Sequence, residues 1–151
     1  MNTTIQRESF IHSYDEWLPL AQAQHEEMAL VRDKVEVDID VEQYAILEQA
    51  GVLLFYSVRN DLGELVGYAR VLRNFNPDYK ELMVAVGQSL YIQPEYRGTA
   101  GLRLLSFIEA DQRTLDTKVV TYQVPAGSPL EKILAHKDFD CVETVWAKWI
   151  G

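Results

Sequence analysis

Residues 91–105 read Tyr-Ile-Gln-Pro-Glu-Tyr-Arg-Gly-Thr-Ala-Gly-Leu-Arg-Leu-Leu, and their order could do chemistry. The apolar run from Ser89 to Ile92 stops at Pro94, a short loop carries Gly98 and Gly101, and a periodic apolar segment begins at Leu102. A strand, a small-residue turn and a helix start therefore follow one another directly. Such a junction aims several unpaired helix amides at one point, with the positive end of the helix dipole behind them. Arg97 adds a side-chain charge beside the turn. Chemically this is a pocket for a phosphate or pyrophosphate group. The glycines alone would equally serve a plain tight connection, so the flanking sequence has to decide between the two.

The elements that must position this loop are legible from spacing. Ile5 to Ile11 alternates loosely and suggests a first strand. Ser13, with Glu16 as its capping-box partner, would open a helix whose apolar residues are Trp17, Leu20, Ala21 and Met28. Pro19 would interrupt or kink it outside the first turn. Asp40 caps a second helix, Val41 to Ala50, ended by Gly51. Val52 to Asn60 and Leu65 to Leu72 flank the turn Asp61-Leu62-Gly63-Glu64, a hairpin signal. Asn74 to Lys80 reads as a polar loop before a long strand, Glu81 to Ile92. Gly87 inside that strand points to a bulge or a close backbone approach. A helix from Leu102 to Leu115, a strand from Val119 to Val124, a helix from Pro129 to Ala135 behind Ser128 and a last strand from Val142 to Ile150 complete the order. This order specifies an α/β fold with a mixed sheet and helices on both faces.

Composition narrows the function classes. The chain has 151 residues, the size of one domain spanning 1–151, with 48% apolar and 25% charged residues, as expected of a soluble protein. No apolar stretch reaches the length of a membrane span, no signal-peptide pattern opens the chain, and the single Cys141 cannot form an intrachain disulfide. The expected location is the cytoplasm. Net charge is −9, with −7 on residues 1–75 and −2 on residues 76–151. An acidic chain repels a phosphate backbone, so no nucleic acid and no membrane are expected as partners. The acidity also serves solubility. A polyanionic ligand suits the less acidic half, and a cationic one the more acidic half.

The run Pro94-Glu95-Tyr96-Arg97-Gly98-Thr99-Ala100-Gly101-Leu102 resembles the acyl-CoA pyrophosphate loop of the GNAT superfamily of N-acyltransferases. Members usually read Arg/Gln-x-x-Gly-x-Gly/Ala after a strand ending in a Val-x-Pro-like step. Ile92-Gln93-Pro94 matches the strand end and Arg97-Gly98 opens the loop. Ala100 and Leu102 occupy two later motif positions, and the second glycine is displaced to Gly101. The Gly-Leu step, Leu104-Leu105, Glu109 and the ending Phe139 to Ile150 resemble short bacteriophage-encoded members, which would place the protein in a host cytoplasm. The likeness covers residues 50–151 well and residues 1–50 in outline.

The resemblance implies a central sheet of about six or seven strands, splayed at a cofactor cleft. It implies acetyl-CoA as co-substrate and an amine acceptor, which the charge suggests is cationic, with no metal. Main-chain groups of Leu90, Tyr91 and Ile92 would pair with pantetheine, and the amide of Ile92 would hold the oxyanion. The amides of Gly98, Thr99, Ala100, Gly101, Leu102 and Arg103 would hold the pyrophosphate, beside Arg97.

Proton handling departs from the family pattern. The tyrosine many members carry ahead of the last strand falls on Leu134, the glycine that follows falls on Asp138, and residues 125–151 contain no tyrosine. His136 is the substitute acid, although a helix-end histidine is equally consistent with plain exposure. Candidate bases are Glu81 and Glu26, the latter beside His25 and Glu27 on what could be a solvated helix face. Tyr122 and Glu143 fall near the acceptor cleft by position. Cys141, with no firm partner, reads as a core residue, and Trp146 and Trp149 as packing or interface aromatics, with a homodimer among the possible assemblies. The alternatives to an N-acyltransferase are a catalytically weak CoA-binding protein and a phage–host interaction protein on the same fold.

Overall fold

The computed structural model describes residues 2–28 and 33–151. The sheet runs β1 (Thr3–Glu8), β2 (Leu53–Asn60), β3 (Leu65–Asn76), β4 (Tyr79–Ile92) and β5 (Val119–Tyr122), with spatial order equal to chain order. Pairing is antiparallel from β1 to β4 and parallel between β4 and β5. The helices are α1 (Tyr14–Met28), α2 (Val41–Gln49), α3 (Thr99–Thr114) and α4 (Pro129–His136). A single-turn helix, Pro94–Tyr96, links β4 to α3.

The sheet carries a core on each face. Tyr56, Val58, Ala69, Val71, Ala85 and Ile92 pack against Ala100, Leu104 and Ile108 of α3. On the other face Leu53, Phe55, Leu65, Tyr68 and Tyr91 pack with Phe10 and with Trp17, Leu20 and Ala21 of α1. The aromatic rings of this second core meet edge-on, with Phe10 and Trp17 centroids 4.8 Å apart and Trp17 and Tyr68 5.8 Å apart. Such contacts add directionality to area burial.

Local chemistry explains most boundaries. Asp40 accepts from Gln43 N at 3.0 Å and starts α2, while Gly51, at φ +72°, ends it. The capping box expected at Ser13 does not form. The Ser13 hydroxyl donates to Glu8 at 2.6 Å and to Ser9 O at 2.8 Å, and Glu16 is drawn to Arg59 at 2.7 Å. The segment 74–80 is a hairpin rather than a polar loop, because Asn74, Phe75 and Asn76 find cross-strand partners in Val84, Met83 and Tyr79. Pairing outweighs local polarity there.

The largest departure is at the C-terminus. The expected strand Val142–Ile150 is not formed, and among the described residues the sheet has five strands rather than six or seven. A strand exists only where a neighbour supplies its hydrogen bonds, and residues 142–150 lie against none. Cys141, expected in the core, is exposed on this tail.

Candidate active site

The site grows out of the end of β4. Val84 to Gly87 pair with Val119 to Tyr122, and there the β4–β5 ladder stops. β4 continues to Ile92 with β3 as its sole neighbour. At the parting point the register jumps from Arg70↔Ser89 to Val71↔Gly87, leaving Gln88 unpaired as a bulge. A bulge bends its strand and sharpens the local twist, so β4 swings off β5 and a gap opens between them. Gly87 is needed here: a Cβ would lie 2.3 Å from the Tyr122 ring. The glycine of the sequence analysis thus marks the place where the two strands separate.

Register decides which backbone groups face the gap. Gln93 N donates to Val66 O at 2.9 Å, and in an antiparallel ladder such bonded positions alternate. Tyr91 and Ser89, opposite Tyr68 and Arg70, therefore turn their peptide groups toward β3. Leu90 and Ile92 turn theirs into the gap. Two carbonyl contacts agree with this assignment: Leu90 O accepts from Gln24 Nε2 at 3.3 Å, and Ile92 O accepts from Arg97 Nε at 2.8 Å. Of the three residues expected to meet pantetheine, Leu90 and Ile92 turn their peptide groups into the gap, and Tyr91 turns its own to β3.

The loop closes over the same end. Gly98 sits at φ +107°, ψ −123°, a conformation that L-residues rarely adopt, and no side chain caps α3. The amides of Gly98, Thr99, Ala100 and Gly101 precede the first intrahelical bond, so they stand open at the positive end of a 16-residue helix. Open space surrounds the position of a Gly98 Cβ, and a Gly101 Cβ would meet Ile92 Cδ1 at an ordinary 3.9 Å. The first turn of α3 thus abuts the end of the gap, and its open amides fit a pyrophosphate. The amides of Leu102 and Arg103 lie one turn further on, where Gly98 and Thr99 carbonyls satisfy them. The Arg103 guanidinium points elsewhere, to Thr3 Oγ1 and Thr3 O at 2.9 Å each.

Arg97 is already engaged. Its Nη2 donates to the Glu27 carboxylate at 2.9 Å, and its guanidinium lies 5.5 Å from the Tyr91 ring centroid. Glu27 is held below the usual carboxylate range, chiefly by that hydrogen bond. Glu27 rather than Glu26 is thus the α1 carboxylate that reaches the loop; Glu26 is exposed.

The other candidate catalytic groups are surface residues. Glu81 is exposed near the hairpin end of β4, on the far side of the Val84–Gly87 ladder. At about 3.3 Å per residue, it is roughly 20 Å from Gly87. His136 is an exposed final residue of α4, as the plain helix-end reading anticipates. Asp138, standing where the family pattern has glycine, takes the left-handed φ of +62° that a glycine would supply.

Gln24, which the sequence did not flag, reaches the gap from α1, with other polar and aromatic groups near it. Gln24 accepts from Tyr68 Oη and from Ser89 Oγ, the latter at 2.9 Å, while its amide nitrogen holds the Leu90 carbonyl. Arg70 lies between the rings of Trp17 and Tyr44, 4.9 and 5.0 Å from their centroids, and donates to Tyr44 Oη at 2.6 Å. At the end of β5, burial and then the nearby Glu109 raise the Tyr122 phenol above its ordinary pKa, so it stays protonated. Its ring meets Phe139 edge-on at 5.6 Å. Of these side chains Tyr122 alone was expected near the acceptor cleft from the sequence.

No family model matches the sequence, and no curated protein matches it. Solved structures do match. One is an aminoglycoside acetyltransferase from an uncultured soil metagenomic sample, in complex with sisomicin: 14% identity, TM-score 0.76, covering 99% of this chain and 95% of that one. Another is a ribosomal-protein-alanine N-acetyltransferase from Brucella melitensis, with 15% identity, TM-score 0.70 and coverages of 99% and 97%. A third is a predicted acetyltransferase from Clostridium acetobutylicum with acetyl-CoA, with 11% identity, TM-score 0.73 and coverages of 99% and 96%. The chain has the fold of these acetyltransferases, the α/β architecture with a mixed, splayed sheet that the loop at residues 91–105 implied.

Proposed function

We propose that the protein is an acyl-CoA-dependent N-acyltransferase that uses acetyl-CoA and an amine acceptor. The observation that carries this reading is the convergence at one end of β4: a gap lined by the Leu90 and Ile92 peptide groups, abutted by the uncapped first turn of α3. A thioester threaded along that edge would find strand-like partners for its amides and open N–H groups for its pyrophosphate.

The reaction exchanges a C–S bond for a C–N bond. The amine must reach the site unprotonated, the carbonyl oxygen gains charge as nitrogen attacks, and the departing thiolate takes a proton. Amides of Leu90 and Ile92 point where an oxyanion would form, and one such donor is worth about 10²–10³ in rate. The phenol we assign to protonate the thiolate is Tyr122, at the parting of the strands, a weak acid because burial raises its pKa. The Gln24–Tyr68–Ser89 cluster fixes the Leu90 peptide from the α1 face. The connection between α1 and α2 is acidic, with Asp33, Glu36, Asp38 and Asp40, which favours a cationic acceptor.

The test is release of free CoA thiol from acetyl-CoA over a panel of small and peptide amines. Turnover with at least one amine, lowered roughly 100-fold in Tyr122→Phe at unchanged acetyl-CoA affinity, supports the reading. A second reading, CoA binding without transfer, is favoured by the exposure of Glu81, Glu26 and His136. Tight CoA binding with no turnover on any amine selects it.

A further inference from the structure

The described arginines differ in what they meet. Arg7, Arg59, Arg97 and Arg113 each form an ion pair with a carboxylate. Arg73 donates to Leu115 O, and Arg103 to Thr3 O. Arg70 meets neither kind of oxygen. Among the described residues its hydrogen-bond acceptor is the neutral Tyr44 phenol, 2.6 Å from Nη1, and its Nε is buried without a partner. The Trp17 and Tyr44 rings, with centroids 4.9 and 5.0 Å from the guanidinium carbon, stabilise the charge but supply no anion. A guanidinium is donor-only, and a half-buried one ordinarily finds an acidic partner.

Register fixes where this cation stands. Arg70 is opposite Ser89 of β4 and two residues along β3 from Tyr68, so it shares with Tyr68 the α1 side of the sheet. Gln24 ties that neighbourhood to the gap: Oε1 accepts from Tyr68 and Ser89, and Nε2 donates to Leu90 O. The Gln24 oxygen is thereby occupied, and nothing in the cluster offers Arg70 a negative charge. With paired strands about 4.8 Å apart and about 3.4 Å per residue along each, the Arg70 backbone lies roughly 6 Å from that of Leu90. That is within the span of a small amino acid.

We propose that Arg70 sets the specificity for the acceptor by binding a carboxylate that the amine substrate itself carries. The inference rests on the acyl-transfer reading for where the amine stands. A carboxylate presents two oxygens at the spacing of a guanidinium edge, and such an anion is what Arg70 lacks. The other end of such a molecule is an ammonium group, which suits the acidic connection leading into α2 through Glu36, Asp38 and Asp40. The acceptor class is then an amino acid or short peptide whose carboxylate lies close to the reacting amine, rather than a polyamine.

Calorimetry in saturating CoA, where no acyl group can be transferred, tests this. The probes are glycine, 4-aminobutanoate and L-lysine, each titrated beside its own amide. At least one acid should bind roughly ten-fold or more tightly than its amide, as a charge-assisted pair would give. In Arg70→Gln that ratio should fall to about one, with CoA affinity and the circular dichroism spectrum unchanged. No discrimination in any pair overturns the proposal, and so does a ratio that survives the substitution. Should Arg70→Gln fail to fold, Arg70→Lys keeps the charge but loses the two-pronged edge, and should lower the ratio several-fold; an unchanged ratio there counts against Arg70. Release of CoA thiol from acetyl-CoA is read separately. Acid binding that depends on Arg70 without thiol release fails the transfer reading and supports the anion site. Thiol release as fast with the amides as with the acids fails this proposal alone.

Discussion

Substituting Gly98 by alanine isolates the backbone contribution to the candidate pyrophosphate site. A Cβ at this position meets no heavy atom within 4 Å, so the change creates no clash with the fold. What it does is make φ +107° unfavourable. The loop relieves the strain by rotating residue 98 toward negative φ, which turns the Gly98 and Thr99 amides off their common target. Losing one or two charge-assisted hydrogen bonds at about 1.5–3 kcal/mol each, with partial compensation, amounts to about 2–4 kcal/mol, or roughly 30- to 1,000-fold in Kd for CoA. Gly98→Glu should lose at least as much, because a carboxylate would stand beside the phosphates. The comparison is Gly101→Ala, whose Cβ meets Ile92 Cδ1 at a comfortable 3.9 Å and which lies within the helix. That variant should keep its fold and lose less affinity. Calorimetric titration with CoA, alongside thermal melts of each variant, reads both quantities. A Gly98→Ala protein with wild-type Kd would mean that the α3 amides do not hold the pyrophosphate.

Other expectations concern proton handling, the strand parting and pH. His136→Ala and Glu81→Gln should leave turnover within about two-fold of wild type, since a general acid or base contributes 10²–10⁴, Glu81 stands beyond the β4–β5 ladder and His136 is an exposed helix end; a large loss at preserved CoA affinity would make that residue catalytic. Gly87→Ala forces a Cβ to 2.3 Å from the Tyr122 ring and should cost about 1–3 kcal/mol in chemical denaturation. Adding Tyr122→Ala should recover part of that loss; no recovery would place the strain elsewhere. Burial would raise the Glu8 carboxyl, but hydrogen bonds from Arg59, Ser13, Ser57 and Gln6 outweigh it and hold the group at about 2, against an ordinary 4.5. The unfolded chain therefore binds the proton first as pH falls, so this stabilisation is complete above pH 4.5 and drains away toward pH 2. Glu8→Gln should lower Tm at neutral pH and flatten its acid slope, and an unchanged slope would contradict the assignment.

What the sequence disclosed was whatever local chemistry dictates. The loop at residues 97–101 was legible because glycine, a preceding strand stop and a following apolar helix constrain one another within a few residues. The bulge near Gly87 was legible because glycine inside a β-branched run has few other uses. The hairpin at Asp61–Glu64 and the end of α2 at Gly51 belong to the same class. Gln24 was invisible, because its role depends on α1 docking beside Leu90, 66 positions away in sequence. Glu81 stands at the start of β4, and how far that end lies from the gap depends on where β5 pairs, at Val84 to Gly87, which no local pattern states. The tail was assigned as a strand on pattern alone, and a pattern does not supply the neighbour whose hydrogen bonds a strand needs.

The central claim is that acyl-CoA lies in the gap between β4 and β5 with its pyrophosphate on the first turn of α3. Calorimetric titration of the wild-type chain with acetyl-CoA tests it most directly. The account predicts saturable binding of one molecule per chain, accompanied by a rise in Tm that grows with ligand concentration. No heat and no thermal shift at millimolar acetyl-CoA would contradict it.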